Sequence, residues 1–292
     1  MHHNDMTDWA DKAPAWVRHE RIYDAAFAPF TRAVLDRAGF GPGLRVLDVG
    51  CGTGTLLQAS VTAGAETVGV DLSSEMAGAA RRRVPSATVL TADAQNVDLV
   101  AEAGGAFDRV VSRFGVMFFA DPVAAFANIR SATAAGGRLT FVCWREGETE
   151  TFWHGLRSLA ARLDTPPTQP ADGEPGPMGL AREERVRQVL SDAGWSRIAV
   201  ELIEGVADYS VDGGDGVEER LSVALAGRVG QTVRRALEPE LGEAGWQSAL
   251  DEARAELRAH LRDGTVAFPS RAWLVTAVQG GGTTAPEEAR AR

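Results

Sequence analysis

The sequence predicts a doubly wound α/β fold built on a mostly parallel sheet, and two observations lead to this prediction. From position 44, short apolar segments alternate with segments of helical period, as in parallel sheets that are covered by helices on both faces. In addition, the first apolar segment runs directly into a glycine-rich turn at the head of a helix, where such folds bind their ligands.

Five strands are predicted in the first half of the chain. They are Leu44 to Val49, Thr67 to Asp71, Ala87 to Thr91, Phe107 to Ser112 and Arg138 to Trp144. Either Ser73 or Ser74 can cap the helix that follows the second strand. Asp121 and Pro122 have the residue types of a helix cap and a first turn, and we expect the Gly136–Gly137 pair to end that helix.

The residues outside this core predict helices and a proline-rich connection. In the first forty residues, Trp9, Trp16 and Tyr23 recur every seven positions, which favours aromatic helices. Thr165 to Pro177 contains five prolines in thirteen positions and predicts a loop. Beyond it we expect a helix from Arg182 to Ala193, a strand from Ile198 to Glu204, two amphipathic helices between Gly216 and Arg262, and a last strand that ends in Ala272 to Val278.

These elements divide the chain into five predicted segments. Residues 1–40 form an N-terminal helical lid, and residues 41–147 form the α/β core. Residues 148–193 hold an insert and the first cap helix, and residues 194–279 hold the remaining strands and cap helices. We expect the tail at 280–292 to be disordered.

The charge balance disfavours a nucleic-acid partner. Thirty basic and forty acidic side chains give a net charge of −10, which repels a phosphate backbone. Arg81, Arg82 and Arg83 are consecutive, so a helix would spread them around its surface, and we expect all three to be solvated. Nucleic acid is therefore not the expected substrate; we expect a small-molecule substrate, and a protein that acts as a monomer or homodimer.

Cysteine content and hydropathy predict a cytoplasmic protein without a metal. Cys51 and Cys143 are too few for a disulfide framework, and they lack the spacing of a zinc site. No apolar run approaches the roughly 18 residues of a membrane span, and the polar start lacks the apolar region of a signal peptide.

The glycine-rich turn indicates which cofactor the fold binds. The segment from Val46 to Gly54 reads V-L-D-V-G-C-G-T-G. The dinucleotide fingerprint G-x-G-x-x-G would need glycine at position 55, where the sequence has Thr55. Asp48 lies beside the turn, where a carboxylate would repel a pyrophosphate but favour a ligand with an ammonium and a sulfonium. S-adenosylmethionine (SAM) is such a ligand.

Aspartates lie at the ends of three neighbouring strands. Asp71 ends the second strand, 21 positions after Gly50, where such folds place a carboxylate that accepts both ribose hydroxyls. Asp93 follows the third strand, at the neighbouring position of the same sheet edge. With Asp48 this gives three carboxylates on one rim. For each of them the alternative is a helix cap or a surface charge, and for Asp48 it is also a role in bracing the loop alone.

These motifs resemble those of the class I SAM-dependent methyltransferases, especially bacterial enzymes that act on quinones, sterols and secondary metabolites. Val46 to Gly54 is similar to the first motif of that family, Val68 to Ser73 to its second-strand segment, and Asp93-Ala94 to its adenine-binding segment. Phe107 to Phe114 is similar to its fourth-strand segment. The resemblance implies a seven-stranded Rossmann-like sheet, mostly parallel, in which the last strand, Phe268 to Val278, is reversed.

The resemblance also implies how SAM would be held, with S-adenosyl-L-homocysteine as the product. Asp48 and the loop at Gly50, Gly52 and Gly54 would bind the methionyl amine and carboxylate, and Cys51 would supply a small buried side chain within that loop. Asp71 would bind the ribose, Leu72 and Met76 would flank the adenine, Asp93 would bind its amino group, Ala94 would line it, and the backbone at Ser112 and Arg113 would face the methionyl part.

Methyl transfer from a sulfonium is an in-line displacement, so alignment in a dry site can supply about 7–11 kcal/mol of acceleration. A general base is needed only when the acceptor stays protonated. His154 follows the fifth strand and is the candidate base, with His19 as a second histidine in the N-terminal helices. The alternative for His154 is a packed or surface side chain.

Large apolar side chains around the predicted rim favour a closable acceptor pocket. They are Trp9, Trp16, Tyr23, Phe27, Phe114, Met117, Phe118, Trp144 and Trp153. The alternative is ordinary core packing. The expected acceptor is a small apolar or aromatic molecule of secondary metabolism, methylated on oxygen, nitrogen or carbon.

Two other functions are compatible with the fold. A nicotinamide oxidoreductase would share it, although the glycine spacing disfavours this function. A protein that catalyses a cyclisation or rearrangement, or a SAM-binding module, would keep both the fold and the SAM site without transferring a methyl group.

Overall fold

The computed structural model describes residues 13–148, 153–167 and 173–280. The predictions for Trp9, for positions 168–172 and for the tail beyond position 280 lie outside these residues. The described parts of the proline-rich connection, 165–167 and 173–177, contain no helix or strand, as expected.

A sheet of seven strands and one short added strand forms the centre of the fold. The strands are β1 (Arg45–Val49), β2 (Glu66–Asp71), β3 (Thr88–Thr91), β4 (Phe107–Arg113), β5 (Thr133–Trp144), β6 (Ser196–Asp208), β7 (Leu261–Arg262) and β8 (Thr265–Val278). The order is β3-β2-β1-β4-β5-β8-β6, and the two-residue β7 pairs with β8. The first five strands are parallel, and β8 runs antiparallel to both β5 and β6. The predicted mostly parallel sheet with a reversed last strand is therefore confirmed.

Helices connect and cover these strands. They are α1 (Glu20–Ala26), α2 (Ala28–Ala38), α3 (Thr55–Thr62), α4 (Ser74–Arg83), α5 (Leu99–Ala103), α6 (Pro122–Ser131), α7 (Arg157–Ala160), α8 (Glu183–Asp192), α9 (Val217–Ala226) and α10 (Arg228–Arg258). Residues 13–18 are also helical, and Val116–Phe118 form one 3₁₀ turn. The backbone of α10 leaves the helical conformation at Gly242, so α10 consists of two helices joined by a kink.

The two faces of the sheet are both covered, which makes the fold doubly wound. Phe141 of β5 packs against Phe126 of α6, with ring centroids 5.5 Å apart. Trp144, three positions further along β5, packs against Phe30 of α2 at 5.7 Å. Because side chains that are an odd number of positions apart point to opposite faces of a strand, α2 and α6 lie on opposite sides of the sheet.

Most of the predicted helix ends are confirmed, and one is wrong. The hydroxyl of Ser73 caps α4 and the carboxylate of Asp121 caps α6. However, α6 ends at Ser131, and the Gly136–Gly137 pair lies inside β5 rather than closing the helix. The pairing of β5 with β4 is irregular at this point, and Gly136 has a φ of +77°. Glycine therefore allows the backbone conformation that the distorted strand requires.

The N-terminal helices and the cap helices pack on each other beside the sheet. Helix α9 packs on α1 and α10, and α10 packs on α7. His19, just before α1, lies 2.6 Å from the hydroxyl of Ser222 on α9. Within the residues that the structure describes, no helix is both long enough and apolar enough to cross a bilayer.

Candidate cofactor and acceptor site

The glycine-rich turn after β1 is fastened to β2 by its backbone. The N–H groups of Gly50 and Cys51 both donate to the carbonyl of Val70, at 2.8 and 3.1 Å. Gly50 has a φ of +65°, and a Cβ atom at this position would lie 2.9 Å from the Cα of Gly115, in the loop after β4. The turn therefore needs glycine for a close approach between two loops.

The other two glycines of the turn have different surroundings. A Cβ atom at Gly54 would lie 3.4 Å from Ala80, so Gly54 serves the packing of α3 against α4. At Gly52, where φ is +54°, no atom lies within 4 Å of an added Cβ. Gly52 therefore leaves open space beside the turn, in which a ligand can approach the backbone.

Asp71 braces the turn from the end of β2. Its carboxylate accepts the N–H of Gly52 at 2.8 Å and the N–H of Ser73 at 2.9 Å. Burial raises the pKa of this carboxyl, and the two backbone hydrogen bonds partly offset that effect. This bracing contact of Asp71 was not among the expectations from the sequence, and each oxygen retains a lone pair for a further donor.

Asp48 is a buried carboxyl with an unsatisfied atom. Asp48 is 2% exposed. Within residues 13–148, 153–167 and 173–280, no group forms a hydrogen bond with its Oδ1. Burial raises its pKa to about 8; Arg113 lowers this pKa and Asp71 raises it further. A buried carboxyl with a free acceptor atom is suited to a cationic ligand, which would favour the charged form.

The end of β3 supplies the third aspartate. The carboxylate of Asp93 accepts the N–H of Gln95 at 2.9 Å and the side-chain amide of Asn96 at 2.6 Å, so it stabilises its own turn. The other residues that were expected around the adenine are Leu72, Met76 and Ala94. Met76 and Ala94 are buried, and Leu72 is half-buried.

Two further residues predicted to bind the cofactor, Cys51 and Ser112, have side chains that are buried inside the protein. The sulfur of Cys51 would lie 2.9 Å from a Cβ atom at Gly69 of β2, and Cys51 packs in a small apolar cluster with residues of α3, α4 and β3, so its side chain belongs to the core. Ser112 is fully buried, and its hydroxyl accepts the N–H of Gly115 at 3.3 Å, which shapes the loop after β4.

Arg113 forms a mostly buried ion pair with Asp24 of α1. The two groups are 3.0 Å apart, and Arg113 also donates to the hydroxyls of Thr31 and Thr55. Burial by itself would raise the pKa of Asp24, but Arg113, Thr55 and Arg83 outweigh it, so this pKa lies below its ordinary value. The N-terminal helices are thereby joined to the end of β4 and to the start of α3.

The expectation for the three arginines of α4 is wrong at one position. Arg81 and Arg82 are exposed, as expected. Arg83 lies 2.8 Å from the carboxylate of Asp24, and its side chain is only 30% exposed. It therefore takes part in the same charged group as Arg113 rather than being solvated.

Sequence reasoning did not find Asp24, Thr31, Thr55 or Arg83 as members of this group. Their contacts join positions up to 89 residues apart. Asp24 lies in a helix that has other charged residues, and no local motif distinguishes it from them.

The structure brings five of the predicted pocket residues together in one cluster of rings. Phe114 stacks on Trp144 with centroids 4.4 Å apart, and Phe27 lies 5.0 Å from Phe114. Tyr23 lies 5.8 Å from Phe27 and stacks on Trp16 at 3.7 Å. We call these five residues the aromatic cluster. Phe114 directly follows β4, so the cluster begins at the carboxyl edge of the sheet.

The remaining predicted pocket residues lie around this cluster. Met117 and Phe118 belong to the 3₁₀ turn after β4; Met117 is buried and Phe118 is half-buried. Trp153 is half-buried and packs against the core. Their positions are compatible with a pocket wall and with ordinary packing.

His154 lies in a different environment from the one expected of a base. Its ring stacks on Phe268 at 3.9 Å and lies 5.1 Å from His260. Burial, followed by the nearby charges of Arg220 and His260, lowers its pKa to about 4. It is therefore neutral near pH 7 and can accept a hydrogen bond, but it is a weak base.

Comparison with known proteins identifies the family. A model of the methyltransferase domain matches residues 46–137. The demethylmenaquinone methyltransferase of Renibacterium salmoninarum is 30% identical over 182 residues, which cover 60% of this chain and 76% of that protein. The chain belongs to the class I SAM-dependent methyltransferases. The demethylmenaquinone methyltransferase of Paenarthrobacter aurescens is also similar to this methyltransferase, at 28% identity over 71% of the chain and 82% of the relative.

Solved structures share the fold of this methyltransferase. A structure described as a putative methyltransferase from Bacillus halodurans superposes with a TM-score of 0.53 at 16% identity, and covers 86% of this chain and 99% of its own. Phosphoethanolamine N-methyltransferase 2 of Haemonchus contortus, solved with SAM, gives a TM-score of 0.52 at 19% identity, over 94% of this chain and 60% of its own.

The cofactor of this methyltransferase is SAM, and the rim of the sheet fits it. The unsatisfied oxygen of Asp48, the open space at Gly52 and the lone pairs of Asp71 provide acceptors and room at one edge. In the described part of the chain, no three His, Cys, Asp or Glu side chains are grouped so that they could hold a metal ion.

Proposed function

We propose that this methyltransferase methylates a small aromatic or otherwise apolar acceptor, on oxygen, nitrogen or carbon, in secondary metabolism. The observation that carries the proposal is the aromatic cluster, which begins at Phe114, directly after the strand that ends beside Asp48 and the glycine-rich turn. Ring faces of this kind bind planar apolar molecules. The similarity to two demethylmenaquinone methyltransferases supports an acceptor with a ring.

The same proposal assigns the cofactor contacts. When bound, SAM supplies an electrophilic methyl group on a sulfonium. Asp48 would accept the methionyl ammonium, for which it has a free buried oxygen. Asp71 would accept the ribose hydroxyls with the lone pairs that its backbone bonds leave. The other assigned contacts are Gly50, Cys51, Gly52 and Gly54 through the backbone of the turn, Leu72, Met76, Asp93 and Ala94 around the adenine, and the backbone of Ser112 and Arg113.

The chain's contribution to catalysis is alignment and the exclusion of water. Phe27, Phe114 and Trp144 are buried, so an acceptor between them and the rim is held in an apolar environment. The positive charge of the sulfonium disperses as the methyl group is transferred, so a site that excludes water avoids solvating the reactants more strongly than the transition state. A general base is needed only for an acceptor that stays protonated, and His154, whose pKa lies near 4, would be a weak one.

The proposal is tested with the full chain, SAM and a panel of hydroquinones, phenols and nitrogen heterocycles. Mass spectrometry follows the methylated product, and the formation of S-adenosylhomocysteine is measured separately. We expect equal amounts of both products with at least one aromatic member of the panel, and none with the Asp71→Ala variant. Methylation of a peptide or an RNA instead would contradict the proposed acceptor. SAM binding without any S-adenosylhomocysteine would favour the non-methylating alternatives.

A further inference from the structure

One carboxylate connects the N-terminal helices to two segments of the cofactor-binding core. Asp24 of α1 accepts a hydrogen bond from the hydroxyl of Thr55 at 2.6 Å and forms its ion pair with Arg113 at 3.0 Å. Thr55 is the first residue of α3 and directly follows Gly54 of the glycine-rich turn, and Arg113 is the last residue of β4. The side chain of Asp24 therefore contacts both the start of α3 and the end of β4.

The partners of Asp24 also bond to each other. Arg113 donates to the hydroxyl of Thr55 at 3.1 Å, and Arg83 donates to the same hydroxyl at 3.4 Å. Arg83 forms the second ion pair of Asp24, at 2.8 Å. The side chains of Asp24 and Arg113 are 23% and 10% exposed. A movement of α1 away from α3 and β4 would break several of these bonds at once and leave a buried guanidinium without its counter-charge, which is costly.

The helix that carries Asp24 also carries part of the aromatic cluster. Tyr23 precedes Asp24, and Phe27 follows it by three positions, at the end of α1. Phe27 lies 5.0 Å from Phe114, the residue after Arg113, and its ring centre is 5.8 Å from the guanidinium carbon of Arg113. The position of α1 therefore sets where these rings stand relative to the cofactor rim.

A second ion pair of α1 has a different character. Arg21 pairs with Asp212 in the loop after β6, and both side chains are exposed. Exposed ion pairs stabilise a structure little, because water screens them and their side chains lose entropy. The shielded contact of α1 is the one that Asp24 makes, and it leads to the cofactor turn.

We propose that Asp24 is a positioning residue, which couples occupancy of the cofactor turn to the position of the aromatic cluster. A bound cofactor restrains the glycine-rich turn and with it the start of α3. Because Thr55 and Arg113 hold Asp24, this restraint favours the docked position of α1. By reciprocity, a change that loosens α1 weakens cofactor binding by the same factor. The consequence for the acceptor rests on the proposed function, which assigns the aromatic cluster to that molecule.

The test measures hydrogen exchange of the full chain by mass spectrometry, with and without saturating S-adenosylhomocysteine. This ligand is assigned to the turn and to the ends of β2, β3 and β4, so slower exchange in α1 reports coupling. Amides of β1 report global unfolding, and faster exchange in α1 reports its local release. We expect the ligand to slow exchange in Glu20–Ala26 about fivefold or more.

Variants of Asp24 locate the coupling. Asp24→Asn should reduce the slowing by the ligand to less than about twofold, and calorimetry should show S-adenosylhomocysteine bound about fivefold more weakly. Asp24→Glu keeps the carboxylate and should restore part of both effects. Each variant is compared with itself, with and without ligand, so that a general loss of stability is not counted as a loss of coupling.

The matched control is Glu201→Gln, which breaks the exposed ion pair between Arg37 of α2 and Glu201 of β6. It loosens the N-terminal helices at a point without a bond to the cofactor turn, and should keep the full slowing and the full affinity. If Asp24→Asn does not fold, as judged by near-ultraviolet circular dichroism, Thr55→Val replaces it. This variant removes the hydroxyl at nearly constant shape and should halve the slowing or reduce it further.

Three results overturn the proposal: exchange in α1 that the ligand does not slow, slowing that both Asp24→Asn and Thr55→Val retain in full, or an equal loss in Glu201→Gln. In these cases unchanged binding of S-adenosylhomocysteine by the unmodified protein leaves the proposed methyltransferase function intact. Failure of the unmodified protein to bind this ligand would overturn the coupling and the assigned cofactor site together.

Discussion

Asp24 on the N-terminal helix α1 lies 3.0 Å from Arg113 at the end of β4, and the pair is mostly buried. The opposite oxygen of Asp24 lies 2.8 Å from Arg83 of α4. One carboxylate therefore holds two cationic side chains from two different parts of the cofactor-binding core. The N-terminal helices are fixed to the rim of the sheet by charge as well as by apolar packing.

The first prediction concerns this carboxylate. Asp24→Asn should destabilise the protein by about 3 kcal/mol, because it leaves a buried guanidinium without its counter-charge. Urea denaturation measures the free energy of unfolding. The control is Glu201→Gln, which breaks the exposed pair between Arg37 and Glu201 and should cost no more than about 1 kcal/mol. Equal losses in the two variants would contradict the structural importance of Asp24.

The second prediction uses the pKa of Asp48. In the unfolded chain this carboxyl loses its proton near pH 3.8, and in the folded protein it does so near pH 8. Between these pH values the carboxyl of Asp48 is protonated in the folded state and ionised in the unfolded state. The contribution of Asp48 to the free energy of unfolding therefore falls as the pH rises from 3.8 to 8. Asp48→Asn removes the effect, so the cofactor-free variant should be more stable than the unmodified protein at pH 8, by about 2 kcal/mol or more.

Denaturation at pH 4 and pH 8, in the absence of SAM, checks this prediction, since the gain should be much smaller at the lower pH. The same variant should bind SAM at least about tenfold more weakly, because it cannot carry the negative charge. A variant that is less stable at pH 8 and binds SAM normally would show that Asp48 only braces the turn.

A third prediction separates two glycines of the cofactor turn. Gly52→Ala should fold, since its added Cβ meets open space. The affinity for SAM should nevertheless fall by about tenfold or more, because the alanine side chain fills the space that the ligand needs beside the turn. Gly50→Ala should destabilise the protein by about 2 kcal/mol or more, because its Cβ would collide with the backbone of Gly115. Gly213→Ala is the control for positive φ alone, with φ +79° and open surroundings far along the chain, and should leave SAM affinity unchanged. Equal SAM affinities in the Gly52 and Gly213 variants would contradict a ligand at Gly52.

A fourth prediction concerns the aromatic cluster. Phe27→Leu should raise the KM for the acceptor by about tenfold, because the pocket loses one ring that packs on the acceptor, and it should change the KM for SAM little. Phe126→Leu is the matched control, since Phe126 is also buried but packs against Phe141 on the opposite face of the sheet. Steady-state kinetics with each substrate varied in turn measures both effects. The assignment fails if the two variants raise the KM for the acceptor equally.

The sequence was sufficient to predict the sheet and its rim because these features are local. The apolar period of each strand, the glycines at positions 50, 52 and 54, and the capping types at Ser73 and Asp121 all lie within a few residues of the structure that they specify. The short helix α5 was not predicted, since five residues carry too little periodicity. The Gly136–Gly137 pair was misplaced because glycine is compatible with a helix end and with a distorted strand alike.

The electrostatic features of the site could not be predicted, because they depend on long-range contacts. Nothing in a run of three arginines distinguishes Arg83 from its neighbours until α1 packs beside it. His154 has the residue type of a base, but its burial next to Arg220 and His260 determines its pKa. Burial and neighbouring charge are properties of the folded chain, and they are decided by elements far apart in the sequence.

The binding of SAM at the acidic rim is tested most directly by isothermal calorimetry with S-adenosylhomocysteine. The unmodified chain should bind with measurable heat, and Asp71→Ala should weaken binding by about a hundredfold, because it removes both the ribose acceptor and the brace on Gly52. Asp36→Ala, on the exposed side of α2, should bind like the unmodified chain. No heat with the unmodified chain, or an Asp71→Ala variant that binds as tightly as the Asp36→Ala control, would contradict it.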